Sequence, residues 1–453
     1  MDTDQNLTDM LASRPMSGLQ IAAVVILIGL LALDGFDVLS VSFAAPGIAL
    51  EWGIDRAALG IVLSAELIGM AVGSILLGFA ADRIGRRKIL LPSLCLMAGA
   101  MCMVTTADGI GTLALWRVIT GIGIGGVMAT ASTLVAEFSN QRRRDFCIAL
   151  MVVGYPIGVV VGGLICAQLL KANGWHSVFY FGAGMTALSI PITAAWVPES
   201  VSWLLRTRPA GALATINGTL QRMGCVVLQA LPPPWVKSDA ESSGRETIFS
   251  RGLWAVTAIV TAAYFFHVVA FYYTMKWIPK IVVDMGFAAS SAAGVLVWAN
   301  VGGAIGGATF GVLSQRIDAK KLTIGVMFAS TAMVFLFGRS EANLTALALI
   351  CACTGFFTNG AIAGLYALMA RGFPTHVRAS GTGFAIGVGR GGAMLGPVLA
   401  GYLFRSGLNL AAVSAIIALS STCGALVLML LKLESQSAKR GEGATRLNAD
   451  APA

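Results

Sequence analysis

Charge is what this chain lacks. Only 12% of its 453 residues are Asp, Glu, Lys or Arg, about half the share of a water-soluble protein. That is too little to cover a soluble body of this size. Its eight cysteines are scattered through apolar stretches and, apart from Cys351-Ala-Cys353, show no ligand-like spacing, so neither a disulfide framework nor a metal cluster is expected. No pairing of nucleophile and base stands out either. What is there instead is apolar: 57% hydrophobic residues, 54 glycines and a mean hydropathy of +0.80. At roughly 20 apolar residues per membrane span, a dozen spans and their loops use up the length and leave no room for a separate soluble catalytic domain.

A polar stretch precedes the first apolar run, and no small-residue cleavage site follows early enough for a signal peptide, so the first span is expected to be retained. Apolar runs predict spans near 18–44, 57–80, 89–105, 109–136, 146–170, 176–197, 252–278, 290–313, 322–338, 344–370, 380–403 and 408–432. The pattern is six spans, a gap, then six. This gives a tail at 1–17, a six-span half at 18–197, a linker at 198–251, a second half at 252–432 and a tail at 433–453. The linker holds Pro232-Pro233-Pro234, serines and mixed charges, and reads as a solvated segment with at most one short surface helix.

Of the 31 basic residues, 23 fall in the tails and loops on one side, five on the other, and three inside spans. By the positive-inside rule both termini are cytoplasmic. The net charge of +9 is therefore a topology signal, and nucleic acid is not an expected partner. The halves also repeat. An offset of 233 pairs Pro46 with Pro279, Gly69 with Gly302, Gly73 with Gly306 and Arg83 with Arg316, and an offset of 234 pairs Arg144, Gly158 and Gly162 with Arg378, Gly392 and Gly396. Parallel duplicated halves place a binding site near the midplane, between them.

The loop after the second span reads Gly78-Phe-Ala-Ala-Asp82-Arg83-Ile-Gly85-Arg86-Arg87-Lys88, and its echo at 311–321 has lost the Asp and the second Gly. It resembles the loop motif of the major facilitator superfamily. The resemblance implies an all-α integral membrane protein with twelve transmembrane helices in two pseudo-symmetric six-helix bundles. In physical terms Gly85 permits a tight turn, and Asp82 can sit at a helix N-terminus or pair with a neighbouring Arg. A gating role is expected for Gly78, Asp82, Arg83, Gly85, Arg86 and Arg87, beside the plainer one of fixing topology.

Charges inside spans are costly and so informative. The first span carries Asp34-Gly35-Phe36-Asp37, two carboxylates on one helix face. A carboxyl group that desolvation makes reluctant to ionise can load a proton on one side and release it on the other; the plainer reading is two acids paired to basic neighbours. Arg117 precedes a glycine-rich run in the fourth span and Arg390 stands among glycines in the eleventh. Each needs a carboxylate partner in the protein or an anionic substrate. Counted from the outer span ends, Asp34, Glu66, Arg117, His267 and Arg390 fall in one slab roughly 12 to 20 Å deep. His267 occupies the place of Asp34 in the repeat register, so the two are candidates to face each other, with a hydrogen-bonded packing histidine as the plainer reading. Glu66 is either a site residue or the partner of Arg117. Lys276 stands near the outer end of the seventh span, where a lysine usually snorkels to the headgroups. Otherwise it is a second cation for a substrate carboxylate, with Tyr272, Tyr273 and Trp277 as aromatic walls.

Asp34-Gly-Phe-Asp37, Arg117 before its glycine run, Gly154-Tyr155-Pro156-Ile-Gly158, Pro198-Glu199-Ser200-Val-Ser-Trp203-Leu204 and Arg390 ahead of Gly396-Pro397 together resemble the aromatic acid:proton symporters of that superfamily. The likeness spans both halves. It implies proton coupling by Asp34 and Asp37, a need for Arg117 and Arg390 in transport, and Glu66, His267, Lys276 and Tyr155 as further substrate-site candidates. Benzoate, hydroxybenzoates and protocatechuate are the implied substrates. Lys276 departs from the small polar residue that the resemblance leads one to expect there. No cofactor is called for beyond protons as coupling ion. The expected form is a monomer in the inner membrane, with lipid and a small aromatic acid as partners. Two rivals share parts of this reading. A drug:proton antiporter would have the same fold, but buried arginines suit anions better than lipophilic cations. A membrane sensor would need an output domain that the linker and tails are too short to supply.

Overall fold

The computed structural model describes residues 13–231, 247–250, 252–374 and 377–431. The Pro232-Pro233-Pro234 run and the 433–453 tail lie outside the described residues. Those described form fourteen helices: α1 (Gly18–Trp52), α2 (Arg56–Ile84), α3 (Arg86–Val104), α4 (Ile110–Phe138), α5 (Arg144–Ala172), α6 (His176–Trp196), α7 (Val201–Thr207), α8 (Ala212–Arg222), α9 (Trp254–Asp284), α10 (Ala289–Leu313), α11 (Ala319–Phe337), α12 (Leu344–Gly372), α13 (Arg378–Arg405) and α14 (Leu410–Met429). Twelve of them, all but α7 and α8, are long and apolar enough to cross a membrane.

These helices are apolar nearly all round, as suits segments that face protein on one side and hydrocarbon on the other. Leu76, Leu164, Leu188, Trp298, Leu349 and Leu419 are each more than half exposed on the perimeter. Local signals set the ends. Ser17 and Gln20 make a reciprocal capping box at the start of α1, and Gln20 Nε2 donates to Phe138 O at 3.1 Å, tying α1 to the end of α4. Helix α1 runs eight residues past the expected end at 44, through Pro46 to a left-handed Gly53 (φ 58°). Proline is tolerated inside a membrane helix when neighbours satisfy the freed backbone.

The repeat seen in the sequence is a repeat of helix contacts. In the first half a Cβ at Gly69, Gly73 or Gly121 would run into the carbonyl of Val118, Ile122 or Glu66, which brings α2 against α4. In the second, Gly302, Gly306 and Gly355 meet the carbonyls of Ala352, Phe356 and Ala299 in the same way, bringing α10 against α12. Gly158 on Ala32 likewise matches Gly392 on Phe265. Small residues that let backbones approach are the usual means of joining helices where no water drives association.

The linker differs from the expectation of at most one surface helix. Both α7 and α8 are formed, and Val201, Trp203, Leu204, Ala212, Ile216 and Leu220 bury a small apolar core of their own. An amphipathic pair this short leaves too weak a pattern to separate from a loop.

The face bearing the α2–α3 and α4–α5 loops, where most of the Lys and Arg lie, is called the basic face and the other the far face. The halves meet toward the far face. Arg56 Nη2 donates to Asp284 Oδ2 at 3.1 Å, Arg405 Nε stands 3.4 Å from Asp55 Oδ2, and Ser64 Oγ donates to Met394 O at 2.9 Å. Among the described residues no ion pair joins the halves nearer the basic face.

Candidate functional site

The ionisable side chains between the halves lie in two layers, where the sequence suggested one slab. The far layer is built on Arg117 of α4, which is wholly buried and ion-paired with Glu66 of α2. Arg117 Nη2 also donates to Asp37 O at 3.0 Å, and its guanidinium lies 5.6 Å from the Phe179 ring centroid. Lys276 of α9 enters from the other half: its Nζ is 3.9 Å from Glu66 Oε2 and donates to Val38 O. The expectation that Lys276 snorkels is overturned, since the side chain is fully buried. It is too far down α9 to reach the headgroups once the halves close over it, and Glu66 supplies a nearer counter-charge. Glu66 in turn is an acid shared by two cations, so it is not free for substrate.

The second layer surrounds Arg390 of α13. Its Nη2 lies 3.8 Å from Met128 Sδ across the interface, and no carboxylate contacts it among the described side chains. Met128 is eleven residues beyond Arg117 on α4, about 16 Å along the helix at its standard rise, so the two arginines stand at different depths. Tyr155 and Tyr272 are within electrostatic reach of Arg390, and Tyr366 is within reach of both tyrosines. Gly389 fits against the Tyr264 ring, and Tyr264 and Tyr366 join hydroxyls at 3.2 Å.

Asp34 and Asp37, both wholly buried, connect the layers. The Asp37 carboxylate faces α6 beside Gly182 and is electrostatically coupled to Arg117. Neither oxygen of Asp34 has a hydrogen-bond partner among the described residues. Its neighbour Gly35 lies so close to Tyr155 that a Cβ would strike the Tyr155 carbonyl, which puts Asp34 at the edge of the Arg390 layer. Two cations against Glu66 leave one positive charge, and an ionised Asp37 balances it. Asp34 then has no cation left to pair with in the far layer.

His267 is a correction. Its Nδ1 pairs with Ser421 Oγ at 2.8 Å and its Nε2 with Thr358 O at 2.9 Å. Both ring nitrogens are therefore committed inside the second half, and the residue does not face Asp34. Two of the expected aromatic walls are structural as well: Tyr273 hydroxyl meets Ser414 Oγ at 2.7 Å and Trp277 Nε1 donates to Pro397 O at 3.1 Å.

The loop motif forms a separate cluster on the basic face, and its contacts stay within the first half and the linker. Gly85 takes φ 122°, a conformation suited to glycine. Glu199 Oε1 accepts from the backbone nitrogens of Arg86 at 2.9 Å and Arg87 at 3.1 Å, capping α3. Of the two places expected for Asp82, Glu199 takes the helix cap and Asp82 takes the other, beside arginines, 4.0 Å from Arg86 and 3.7 Å from Arg206. Arg86 is ion-paired with Glu137 at the end of α4, and Arg87 donates to Ala194 O at 2.5 Å. Arg83 is exposed and Gly78 packs loosely, its nearest neighbour a methyl group. Glu137 and Glu199 were not among the expected gating residues. A lone acid one residue from the basic end of α4, and the Pro-Glu-Ser motif itself, were the available signals.

Two pseudo-symmetric six-helix halves of membrane-spanning length, closed on one face over buried ionisable groups, define a secondary transporter. The sequence pattern of the Major Facilitator Superfamily matches residues 25–338 and, in a second match, 295–451, so the chain belongs to that superfamily. It is 31% identical to the 4-hydroxybenzoate transporter PcaK of Pseudomonas putida over 385 residues, covering 84% of this chain and 86% of that protein. It is 29% identical to the gallate transporter of Pseudomonas putida over 435 residues, with 95% of each chain covered. The fold matches the xylose transporter XylE from E. coli at a TM-score of 0.69 and 15% identity, over 92% of this chain and all of the other.

Proposed function

We propose that this chain imports small aromatic carboxylates together with protons, in the inner membrane, with the basic face and both termini in the cytoplasm. The observation that carries the reading is the contrast between the arginines. Arg117 is committed to Glu66 and the Asp37 carbonyl, whereas Arg390 stands between the halves among tyrosines without a carboxylate partner among the described side chains. A guanidinium at that depth takes a substrate carboxylate bidentately, and the tyrosine faces suit an aromatic ring. A lipophilic cation would meet the same arginine as a repulsion, which disfavours the antiporter reading. The aromatic acid transporters among the relatives support the same class.

An inside-negative potential opposes anion entry by about 2.3 kcal/mol per charge per 100 mV, so accumulation needs a co-transported cation. Asp34 and Asp37 supply the proton sites in this reading. One proton makes entry electroneutral and two make it electrogenic. Return of the empty carrier separates the far-face contacts. The exposed pairs Arg56–Asp284 and Arg405–Asp55 contribute about 0–1 kcal/mol each, so the buried reach of Lys276 to Glu66 and Val38 O is the main latch.

The test is uptake of labelled 4-hydroxybenzoate and benzoate into proteoliposomes under an inward proton gradient. Accumulation that a protonophore abolishes, and that Arg390→Ala and Asp34→Asn remove, is expected. Protonophore-insensitive uptake, or full accumulation by both variants, would sink the proposal.

A further inference from the structure

We infer that Tyr264 and Tyr366 form a subsite for a hydroxyl group on the substrate ring, so that hydroxylated aromatic acids are preferred over the unsubstituted acid. The inference rests on the reading of Arg390 as the carboxylate site. Tyr264 of α9 is buried, and its ring packs on Gly389, the residue next to Arg390. That fixes one phenol beside the backbone that carries the cation. Tyr366 of α12 is 38% exposed, although its helix is part of the bundle. It is within electrostatic reach of Tyr155, which belongs to the other half, so its exposed side looks into the space between the halves. The ring centroids of Tyr264 and Tyr366 are 5.8 Å apart and tilted by 31°, and the hydroxyls meet at 3.2 Å.

A pair of phenols joined by one hydrogen bond keeps one O–H free to donate and lone pairs free to accept. That complements a group which both donates and accepts, as a ring hydroxyl does and a ring C–H does not. With the carboxylate on Arg390, the ring lies against the tyrosines and directs a substituent at them. Lipid contact is the other reason a tyrosine sits near a span end, but a belt tyrosine does not hold a second, buried tyrosine by its hydroxyl.

The size of the preference follows from the hydrogen bond. A site that bonds a substrate hydroxyl disfavours the analogue lacking it, and a net 0.5–1.5 kcal/mol per bond corresponds to about 2- to 12-fold. The experiment measures dissociation constants of benzoate, 4-hydroxybenzoate and 3,4-dihydroxybenzoate for the purified transporter, by competition against one labelled acid, in wild type and in Tyr366→Phe and Tyr264→Phe. The expected result is a wild-type ratio favouring the hydroxylated acids that falls toward unity in both variants. Equal weakening of all three acids in Tyr366→Phe, or a ratio unmoved by either change, overturns the subsite and leaves the transport reading standing. Binding of none of the three by the wild type overturns that reading itself. Tyr366→Phe keeps the test available if the buried Tyr264 tolerates no change, because Tyr366 is 38% exposed.

Discussion

Replacing Glu66 with Gln should be the most damaging single change in the far layer. Glu66 is the acid that contacts both Arg117 and Lys276, and all three side chains are fully buried. Removing one partner of a buried ion pair costs about 3–5 kcal/mol, because the other charge stays buried and uncompensated. Two unit charges 4 Å apart at an effective dielectric of 20 interact by about 4 kcal/mol, which agrees in size. For a body of 150–250 residues, 1 kcal/mol shifts Tm by about 2–4 °C, so the first half should melt on the order of 10 °C lower. Lys276→Met is different: it leaves Glu66 paired with Arg117 and puts an apolar chain where a buried cation was, so its own cost should be small. The double variant then loses one uncompensated cation, and should recover about 1–3 kcal/mol relative to Glu66→Gln alone. Thermal unfolding of the four proteins in one detergent checks this. A Glu66→Gln protein within 1 kcal/mol of wild type, or a double variant no better than the single, would show that the layer is hydrated and that the pairing contributes little.

The other predictions concern the coupling groups, the latch and the turn. Asp34→Asn should abolish proton-driven accumulation in proteoliposomes while keeping at least partial exchange of internal for external substrate, and loss of both together would place Asp34 in the substrate site. Lys276→Met should open the far face more often, so that Ser64→Cys in that background reacts several-fold faster with an impermeant maleimide added from the far side; an unchanged rate would mean that Lys276 is no latch. Gly85→Ala should destabilise by about 1–3 kcal/mol, since the backbone there is nearly glycine-only and a Cβ would stand 2.5 Å from Glu199 Oε2; a Tm equal to wild type would refute the strain.

The spans and halves were legible because the membrane imposes a length and a composition that few other constraints imitate. The offsets of 233 and 234 were legible for a more specific reason: Gly69 and Gly302 are both needed where a helix backbone touches a carbonyl. Asp34, Asp37, Arg117 and Arg390 stood out because a charge in hydrocarbon is too costly to be incidental. What the sequence could not give is which charges meet. That depends on helix rotation and on the state of closure, as Lys276 illustrates: its apolar run ends close by and suggests snorkelling, but the helix continues to Asp284 and the side chain is buried where the halves meet. Depth was too coarse a guide, because a slab roughly 12 to 20 Å deep is thick enough to hold two layers, and for Asp34 the count was also short, since α1 continues to Trp52 beyond its run. His267 shares a register with Asp34, yet Ser421 and the Thr358 carbonyl claim both its nitrogens, a fact held by α12 and α14 that no reading of α9 contains.

The scaffold is symmetric where the chemistry is not, and the difference bears on coupling. Glycine contacts recur at Gly69 and Gly302 and at Gly158 and Gly392. The charged positions do not: Asp34 matches His267, Glu66 matches Ala299, Arg117 matches Cys351, Lys276 matches Phe43 and Arg390 matches Pro156. Every buried acid of the two layers therefore belongs to the first half, and two of the three cations belong to the second. Matched packing lets either face close with similar contacts. If Arg390 is the substrate cation, as proposed, split charges make closure depend on what is bound, because Arg390 and the acids Asp34 and Asp37 come together only when the halves do. A carrier holding an anion at Arg390 brings that negative charge toward Asp34 as the halves meet. On the proposed reading a proton on Asp34 removes the repulsion, and the anion without the proton is expected not to cross.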